Sequence, residues 1–313
     1  MVVPPDPLTL IYRGAVALRN FLYDKEILPV RGVEVPVISV GNLSVGGSGK
    51  TSLVRFLAQE VGEKRRVAVV MRGYKRKTKG TLVVSDGREV LADVSEAGDE
   101  AYMLSKLCRN SVVVVSENRY KGALEAVKLG AEVIILDDGF QHMSLRRDLD
   151  VVCIRRSDLG DRLLPFGRLR EPLGSIKRAD AVVLSYQDLE PFEFNFGGIP
   201  VFRMVRRFGR VLRPDFSPLP VEDVKDKEFV AFAGLGDNEQ FFRVLENLGL
   251  RVIERISFRD HHHYRDFKPR TDLFYLTTVK DLVKLPPADN IFALDFDLEV
   301  PGFAEFLKDK LHL

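Results

Sequence analysis

Two short strings in this sequence carry residue types that handle phosphate and metal. The first is Ser44-Val45-Gly46-Gly47-Ser48-Gly49-Lys50-Thr51-Ser52. It follows the apolar run Val35–Val40 and precedes a run that suits a helix, Ser52–Ala58. Small residues between a strand and a helix let successive backbone amides converge on a polyphosphate, and the helix adds its free N–H groups and positive dipole end. At this spacing Lys50 reaches the β- and γ-phosphates of a nucleotide and the Thr51 hydroxyl faces Mg²⁺. The usual pattern opens with Gly, where this chain has Ser44; Gly46 and Gly47 still supply flexibility. The second string is Asp137-Asp138-Gly139-Phe140-Gln141-His142, at the end of the apolar run Ala131–Leu136. A carboxylate closing a buried strand is how phosphate-loop enzymes hold the water shell of Mg²⁺. Alternate residues of an extended chain face opposite ways, so either aspartate can be the one that faces the metal.

Other clusters hold reactive types with weaker patterns. Gly98-Asp99-Glu100 sits at the start of a helical stretch. Arg72-Gly73-Tyr74-Lys75-Arg76-Lys77, with Lys79, lies where the strand Arg66–Met71 ends, the usual ligand side of an open α/β sheet; it reads either as a substrate contact or as a solvated charge run. Three of the five histidines fall in Phe258–Tyr264, as His261, His262 and His263. Adjacent residues rarely point at one ion, so a base or phosphate contact is easier to build there than a metal site. The loop Leu163–Pro172, rich in Arg and Pro, is too long for a plain connector.

Elements that would position these groups follow in order. Strands are expected at 35–40, 66–71, 111–115, 131–136, 149–154 and 181–184, with helices to about 60 and at 97–107 and 117–129, and a hairpin joining 81–84 to 89–91. This alternation predicts an α/β fold, a doubly wound, mostly parallel sheet of the P-loop NTPase type. Composition shifts at Gln187–Pro200, and Val201–Arg213 alternates as an extended basic ribbon. A second, smaller α/β unit then follows. The expected division is 1–30, an N-terminal helix; 31–190, the nucleotide-binding unit; 191–225, a linker; and 226–313, a smaller unit closing over the site. Residues 8–23 form an amphipathic helix, too short and too charged to span a bilayer. It either lies on a membrane, apolar face down and arginines toward headgroups, or packs on its own protein core.

Composition narrows the class. The 47 Lys and Arg nearly balance 45 Asp and Glu, and the net charge of +2 argues against a polyanionic partner across the whole surface. Tryptophan is absent and few aromatics accompany the basic clusters, so a nucleic-acid groove is not expected. Cys108 and Cys153 have no metal-ligand spacing and read as buried thiols. The start shows no signal-peptide pattern, and a reducing cytoplasmic setting is expected.

Together these motifs resemble the tetraacyldisaccharide 4′-kinase family, the lipid A kinases. The resemblance rests on Gly41-Asn42-Leu43 running into the loop through Thr51, Arg72-Gly73-Tyr74, Gly98-Asp99-Glu100, Asp137–His142, Leu163-Leu164-Pro165 with Leu169-Arg170-Glu171-Pro172, and Asp260-His261-His262. Thr278-Val279-Lys280-Asp281 matches more loosely, since Glu is more familiar than Val279. The resemblance implies transfer of the γ-phosphate of ATP to the 4′-hydroxyl of a tetraacylated glucosamine disaccharide 1-phosphate, with Mg²⁺. It implies Asp99 as base with His261 in support, beside Lys50. It implies metal contacts among Thr51, Asp137, Asp138 and Glu100, and substrate contacts at Arg72, Tyr74, Arg119, Gln141, His142, Arg170 and Glu171. Basic clusters at 72–79 and 168–170 would meet the lipid's phosphate or anionic headgroups. A monomer on the cytoplasmic face of the inner membrane, held by residues 8–23, is expected. The competing reading is a P-loop GTPase or metallochaperone-type switch; a guanine-reading Asn-Lys-x-Asp string is absent.

Overall fold

The computed structural model describes residues 6–311. Its first sheet has eight strands in the order β3-β4-β2-β5-β1-β6-β7-β8. These are β1 (Val37–Asn42), β2 (Val67–Met71), β3 (Leu82–Asp86), β4 (Val112–Val115), β5 (Val133–Asp137), β6 (Leu149–Ile154), β7 (Ala181–Leu184) and β8 (Val201–Arg203). All neighbours run parallel except β3 against β4. The interior strands β1, β2 and β4 to β7 are buried along their whole length, which is why they read as continuous apolar runs rather than alternations. Helices α2 (Lys50–Gly62), α4 (Asp99–Leu107) and α5 (Arg119–Lys128) cover the faces. Strand β1 lies between β5 and β6, with Val40 level with Asp137. That register sets the loop after β1 beside the carboxylates after β5, at the carboxyl edge of the sheet where ligands of open α/β sheets bind.

Two local expectations change. The helix expected from 97 breaks at Gly98, between α3 (Val94–Ala97) and α4. Gly98 has φ +88°, and a Cβ there would lie 2.9 Å from the Tyr74 carbonyl oxygen, so only glycine lets α4 restart with Asp99 as its first residue. The hairpin after β3 is reduced to one bridge, Ser85 with Val90, because β3 pairs with β4 instead.

The second sheet has six strands in the order β10-β9-β14-β13-β11-β12: β9 (Val205–Leu212), β10 (Pro218–Pro220), β11 (Glu228–Ala233), β12 (Arg251–Ser257), β13 (Phe274–Thr278) and β14 (Ile291–Glu299). Helices α6 (Asn238–Asn247) and α7 (Val279–Leu282) belong to it. Segment 191–225, expected as a linker, is built into both sheets. Strand β8 is the edge of the first, β9 and β10 belong to the second, and only the buried Met204 separates β8 from β9. The alternating pattern suits a free ribbon, but here it supplies edge strands with backbone partners. The last helix, α8 (Phe303–Leu311), returns to the first unit, where Phe303 and Leu307 join its core and Phe303 packs 4.9 Å from Phe202.

Side-chain contacts on two sides fasten the units together. On one side Arg55, from α2, pairs bidentately with Asp295 of β14 at 2.5 and 2.9 Å, and Arg210 of β9 adds a 2.8 Å bond to the same carboxylate. On the other, His261 meets Asp99.

Helix α1 (Pro7–Asp24) stands apart from both sheets. The expected start at 8 moves back one residue, since Pro7 takes the first helical turn, where its missing N–H costs nothing, and Asp6 caps Leu8. One side of the helix is pinned: Val16 is buried, the Tyr12 hydroxyl donates to the Arg170 carbonyl at 2.9 Å, and Arg19 and Asn20 both donate to Glu171 at 3.0 Å. The other side leaves Leu8, Leu10, Ile11, Leu18 and Phe21 in the open, Ile11 at 69% exposure. The apolar face therefore does not pack on the protein's own core, and Arg19 points inward to Glu171 rather than outward. No helix among the described residues is long and apolar enough to cross a membrane.

Candidate active site

The loop between β1 and α2 is shaped by two left-handed glycines, Gly46 at φ +98° and Gly49 at φ +78°. Gly46 and Gly47 are exposed, whereas Ser48 is buried. The carbonyls of the loop are tied down from behind: the Ser185 hydroxyl donates to Ser48 O at 2.7 Å, and Arg155 and Tyr186 donate to Gly47 O at 3.2 and 3.3 Å. Fixing the carbonyls on the far side leaves the amides to face the ligand, as an anion cradle requires. Ser44, the departure from the usual pattern, is fully buried. Its hydroxyl accepts from Arg155 at 3.2 Å and its backbone bridges Leu169, so the side chain anchors the loop. Ser52 lies in the first turn of α2, half-buried.

Lys50 points its ammonium at the Asn42 side-chain oxygen, 3.1 Å, and lies 3.6 Å from Asp138. Thr51 donates to Asp137 at 2.9 Å. The two aspartates part company. Asp138, at φ +57°, turns to Arg170, which forks onto it at 2.7 and 2.9 Å. Burial alone would raise the Asp138 carboxyl, but Arg170 and Lys50 hold it well below the usual carboxylate range. Asp137 stays with Thr51. Burial, then the nearby Glu100, push its carboxyl up to about 7 against the pull of Lys50. A buried carboxylate of this kind, beside a hydroxyl and a second acid, is short of positive charge. Its hard oxygen donors suit Mg²⁺, which needs only one or two protein carboxylates because it keeps its waters and takes phosphate oxygens. Among the described residues no group of three or more His, Cys, Asp or Glu forms a self-sufficient metal cage. The residues therefore fit a cation that arrives with phosphate.

Asp99 opens α4, mostly buried, with one oxygen accepting the Glu100 amide at 3.0 Å. Its other oxygen lies 2.7 Å from His261 Nδ1. Burial opposes ionisation of Asp99, yet His261 and Lys280 bring its carboxyl below the ordinary value. The His261 ring packs 5.3 Å from that of Tyr74. His261 reaches this position from a backbone with φ +61°. Its neighbours serve otherwise: His262 stacks on Phe258 at 4.5 Å, and His263 is exposed.

The remaining expected contacts divide. Arg119 is buried, donates to Ser116 O at 2.6 Å and faces both aspartates; burial draws it down to about 10. His142 is pushed down to about 4 by burial and by Arg119, which keeps it neutral. Gln141 donates to Asn42 O at 3.0 Å. Arg72 and Tyr74 are exposed at the mouth. Four basic or acidic groups expected to meet substrate are engaged by the protein itself, Arg170 among them through Asp138 and Asn42. Glu171 is fully buried and clamps Arg19, Asn20 and Arg178. Arg76 is committed to Glu117 at 2.6 Å, and Arg168 to Asp161 at 2.8 Å. Charge runs look alike in sequence whether solvated or paired, and only the fold places a carboxylate beside each.

Asn42, Arg155 and Lys280 also belong to the site, though sequence reasoning assigns them no role. Asn42 is a buried polar residue at the end of an apolar strand, which is itself a signal, since such a group needs partners. Its side-chain oxygen takes both Lys50 and Arg170. Lys280 lies 3.8 Å from Glu100 and 3.1 Å from Asp260. Val279, the looser match, faces the other way and packs into the second unit's core.

Comparison with known proteins points to one family. The family model for tetraacyldisaccharide-1-P 4′-kinase matches residues 5–312. The tetraacyldisaccharide 4′-kinase of Aquifex aeolicus is 53% identical, with 94% of this chain and 93% of that protein covered. The protein of the same name from Halothermothrix orenii is 37% identical over 94% of this chain and 88% of its own length. Among solved structures, the "apo" form of LpxK from Aquifex aeolicus in complex with ATP superposes with a TM-score of 0.93 at 51% identity, covering 98% of this chain and 96% of that one. The match runs through the phosphate loop, the Asp137–His142 string and the loop that carries His261, and the chain belongs to the tetraacyldisaccharide-1-P 4′-kinase family.

Proposed function

We propose that this chain transfers the γ-phosphate of ATP to the 4′-hydroxyl of a tetraacylated glucosamine disaccharide 1-phosphate, the step that makes lipid IVA in lipid A biosynthesis. The observation that carries the reading is the 2.7 Å contact between Asp99 of the nucleotide-binding unit and His261 of the second unit. A hydrolytic switch has no need of a base contributed jointly by two units; a kinase for a sugar hydroxyl does. The family assignment supports the same reading.

Phosphoryl transfer asks mainly for positioning and neutralisation of charge. The loop amides from Gly46 to Thr51 and the dipole of α2 would take the β- and γ-phosphates, with Lys50 at the transferring group and Ser52 behind. Thr51 and Asp137, with Glu100 nearby, would hold Mg²⁺. When bound, the ion supplies positive charge to the phosphate oxygens. Asp138, paired with Arg170 and near Lys50, instead orients both cations. The sugar O4′ forms its bond to the γ-phosphorus while the bond from that phosphorus to the β,γ-bridging oxygen breaks. ADP leaves with the electron pair, and the hydroxyl proton passes to Asp99. Arg72 and Tyr74, exposed beside His261, are placed to meet the lipid's sugar or its 1-phosphate.

The open apolar face of α1 supports a peripheral seat on the cytoplasmic face of the inner membrane, where the acyl chains of the substrate reside. The opposite face of the helix is bonded to Arg170 and Glu171, so the membrane-facing element borders the catalytic cleft. The test is transfer of labelled γ-phosphate from ATP to purified lipid disaccharide in detergent micelles, with serine peptides and nucleosides as control acceptors. Label on the lipid alone is expected; label on a control acceptor, or release of free phosphate without lipid product, would overturn the reading.

A further inference from the structure

The loop between β2 and β3 carries Arg72, Lys75, Arg76, Lys77 and Lys79, and the fold treats one of these cations differently from the rest. Arg72, Lys75, Lys77 and Lys79 are exposed. The Arg76 side chain is 2% exposed, and among the described residues it alone of the five forms an ion pair, with Glu117 at 2.6 Å. We infer that Arg76 and Glu117 are positioning residues for the acceptor: together they hold the loop in the shape that presents Arg72 and Tyr74 at the mouth of the cleft, ready for the lipid's phosphate and sugar. This rests on the kinase reading above.

A guanidinium taken out of water needs oxygen acceptors around it, and this loop supplies them by wrapping. Arg76 Nη2 donates to the Gly80 carbonyl and to Glu117 Oε1. Its Nη1 lies 3.4 Å from Thr78 Oγ1 and 3.5 Å from the Val115 carbonyl at the end of β4. The second oxygen of Glu117 accepts the Gly80 amide at 3.0 Å. Both backbone polar groups of Gly80 are thereby fixed, one by each partner, where the chain turns toward β3 at φ +77°. At the other end of the loop Gly73 has φ +71°, and a Cβ there would lie 2.6 Å from Arg76 Cδ, so the turn closes against the arginine stem. Two bonds dock the middle of the loop on α3: the Lys77 amide donates to Ser95 O at 2.9 Å, and the Thr78 hydroxyl donates to Glu96 O at 2.6 Å.

The outer cations of the loop repel one another, and a free loop would spread them through solvent. Fixing the loop from within removes that freedom before the lipid arrives, so the ordering cost is not taken from binding. Arg72 then meets a phosphate from a preset position. Lysine cannot replace Arg76, because a point ammonium does not span acceptors on several sides as a planar fork does. No hydrogen bond of the Arg76 or Glu117 side chain reaches the phosphate loop or Asp99. The loss of the pair therefore falls on the KM for lipid, by about 10–100-fold, the span of one charge-assisted hydrogen bond.

The loop carries its own reporter, since trypsin cuts after Lys and Arg and Arg72, Lys75, Lys77 and Lys79 all lie in it. The full-length wild type, Glu117→Ala, Arg76→Met and Arg76→Lys are compared by limited tryptic digestion and by kinetics with ATP and lipid disaccharide 1-phosphate in detergent micelles. Glu117 is half-exposed, so Glu117→Ala keeps the test open if Arg76→Met folds poorly. Cleavage within 72–79 is expected about tenfold faster in Glu117→Ala and Arg76→Met than in the wild type, because cleavage follows the population of the opened loop. The KM for lipid rises about 10–100-fold while kcat and the KM for ATP stay unchanged, and Arg76→Lys behaves as Arg76→Met does. In an Arg72→Ala background Glu117→Ala adds little to the lipid KM, since it acts through the residue already removed. Unchanged cleavage, an unchanged lipid KM, or a KM for ATP that shifts as much as that for lipid would overturn the inference. So would full rescue by Arg76→Lys. A wild-type protein that phosphorylates no lipid would instead refute the kinase reading, while the tryptic pattern still decides whether Arg76 and Glu117 hold the loop.

Discussion

Removing His261 should slow the reaction through Asp99 alone, and the structure sets the size of the effect. Asp99 is mostly buried, and its Oδ2 has one strong partner, His261 Nδ1 at 2.7 Å. A hydrogen bond to a charged group contributes about 1.5–3 kcal/mol. Its loss in the transition state therefore corresponds to about 10–150-fold in kcat, at 1.36 kcal/mol per factor of ten. Replacing the base itself, in Asp99→Asn, removes general base catalysis and should cost about 10²–10⁴-fold. Neither residue touches the phosphate loop, so the KM for ATP should stay near that of the wild type. The double variant is the decisive one. If His261 acts only by orienting and stabilising the Asp99 carboxylate, nothing is left for it to support once that carboxylate is gone, and the double variant should be no slower than Asp99→Asn. The assay is kcat at saturating ATP and lipid for the four proteins. Losses that multiply would mean that the two act independently, and a His261→Ala enzyme with ordinary turnover would remove the second unit from the chemistry.

Other perturbations address separate parts of the molecule. Lys50→Ala removes a charge aimed at the transferring group and should lower kcat by about 10²–10³-fold at saturating ATP; near-normal turnover would refute the phosphate-loop assignment. Ile11→Glu with Leu18→Glu places charge on the open face of α1 and should abolish sedimentation with anionic vesicles while leaving ATP binding intact; unchanged sedimentation would refute the interfacial role. Asp295→Asn leaves Arg55 and Arg210 facing each other without their shared carboxylate, and should cost about 3 kcal/mol of stability, read as a lower denaturant midpoint. Burial opposes ionisation of Asp295, but Arg55 and Arg210 hold its folded-state carboxyl below the ordinary value. Its contribution is therefore complete above the unfolded carboxylate pKa of about 3.9 and is lost as pH falls through the lower folded value. The stability gap between wild type and Asp295→Asn should narrow below about pH 4; a gap independent of pH would contradict this.

The parts of the fold legible in sequence were those set by local pattern. Buried parallel strands such as Val112–Val115 and Val133–Asp137 announce themselves as apolar runs, and the glycines of the phosphate loop mark a backbone that no other residue adopts freely. What stayed hidden depends on pairing at a distance. Strands β8 and β9 look like one extended ribbon until the two sheets that claim them are known. Glu171 and Arg76 look like free charges until Arg19, Arg178 and Glu117 are placed beside them. The division of labour between Asp137 and Asp138 follows from the turn at Asp138, which a one-dimensional pattern does not show. The proximity of Asp99 to His261, 162 positions apart, was accessible only through family resemblance, and the structure supplies its distance. Lys280 is hard to see in sequence because its motif departs from the family at Val279, whose side chain faces the core and not the cleft.

The most direct test of the central claim is the position of the new phosphate. Lipid disaccharide 1-phosphate is incubated with ATP, Mg²⁺ and the full chain, and the product is analysed by phosphorus–proton correlation. The expected result is a second phosphorus resonance coupled to the sugar proton at C4′, formed in step with ADP and lost in Asp99→Asn. A phosphate coupled to any other position, or ADP formed at the full rate with the lipid unchanged, would contradict it.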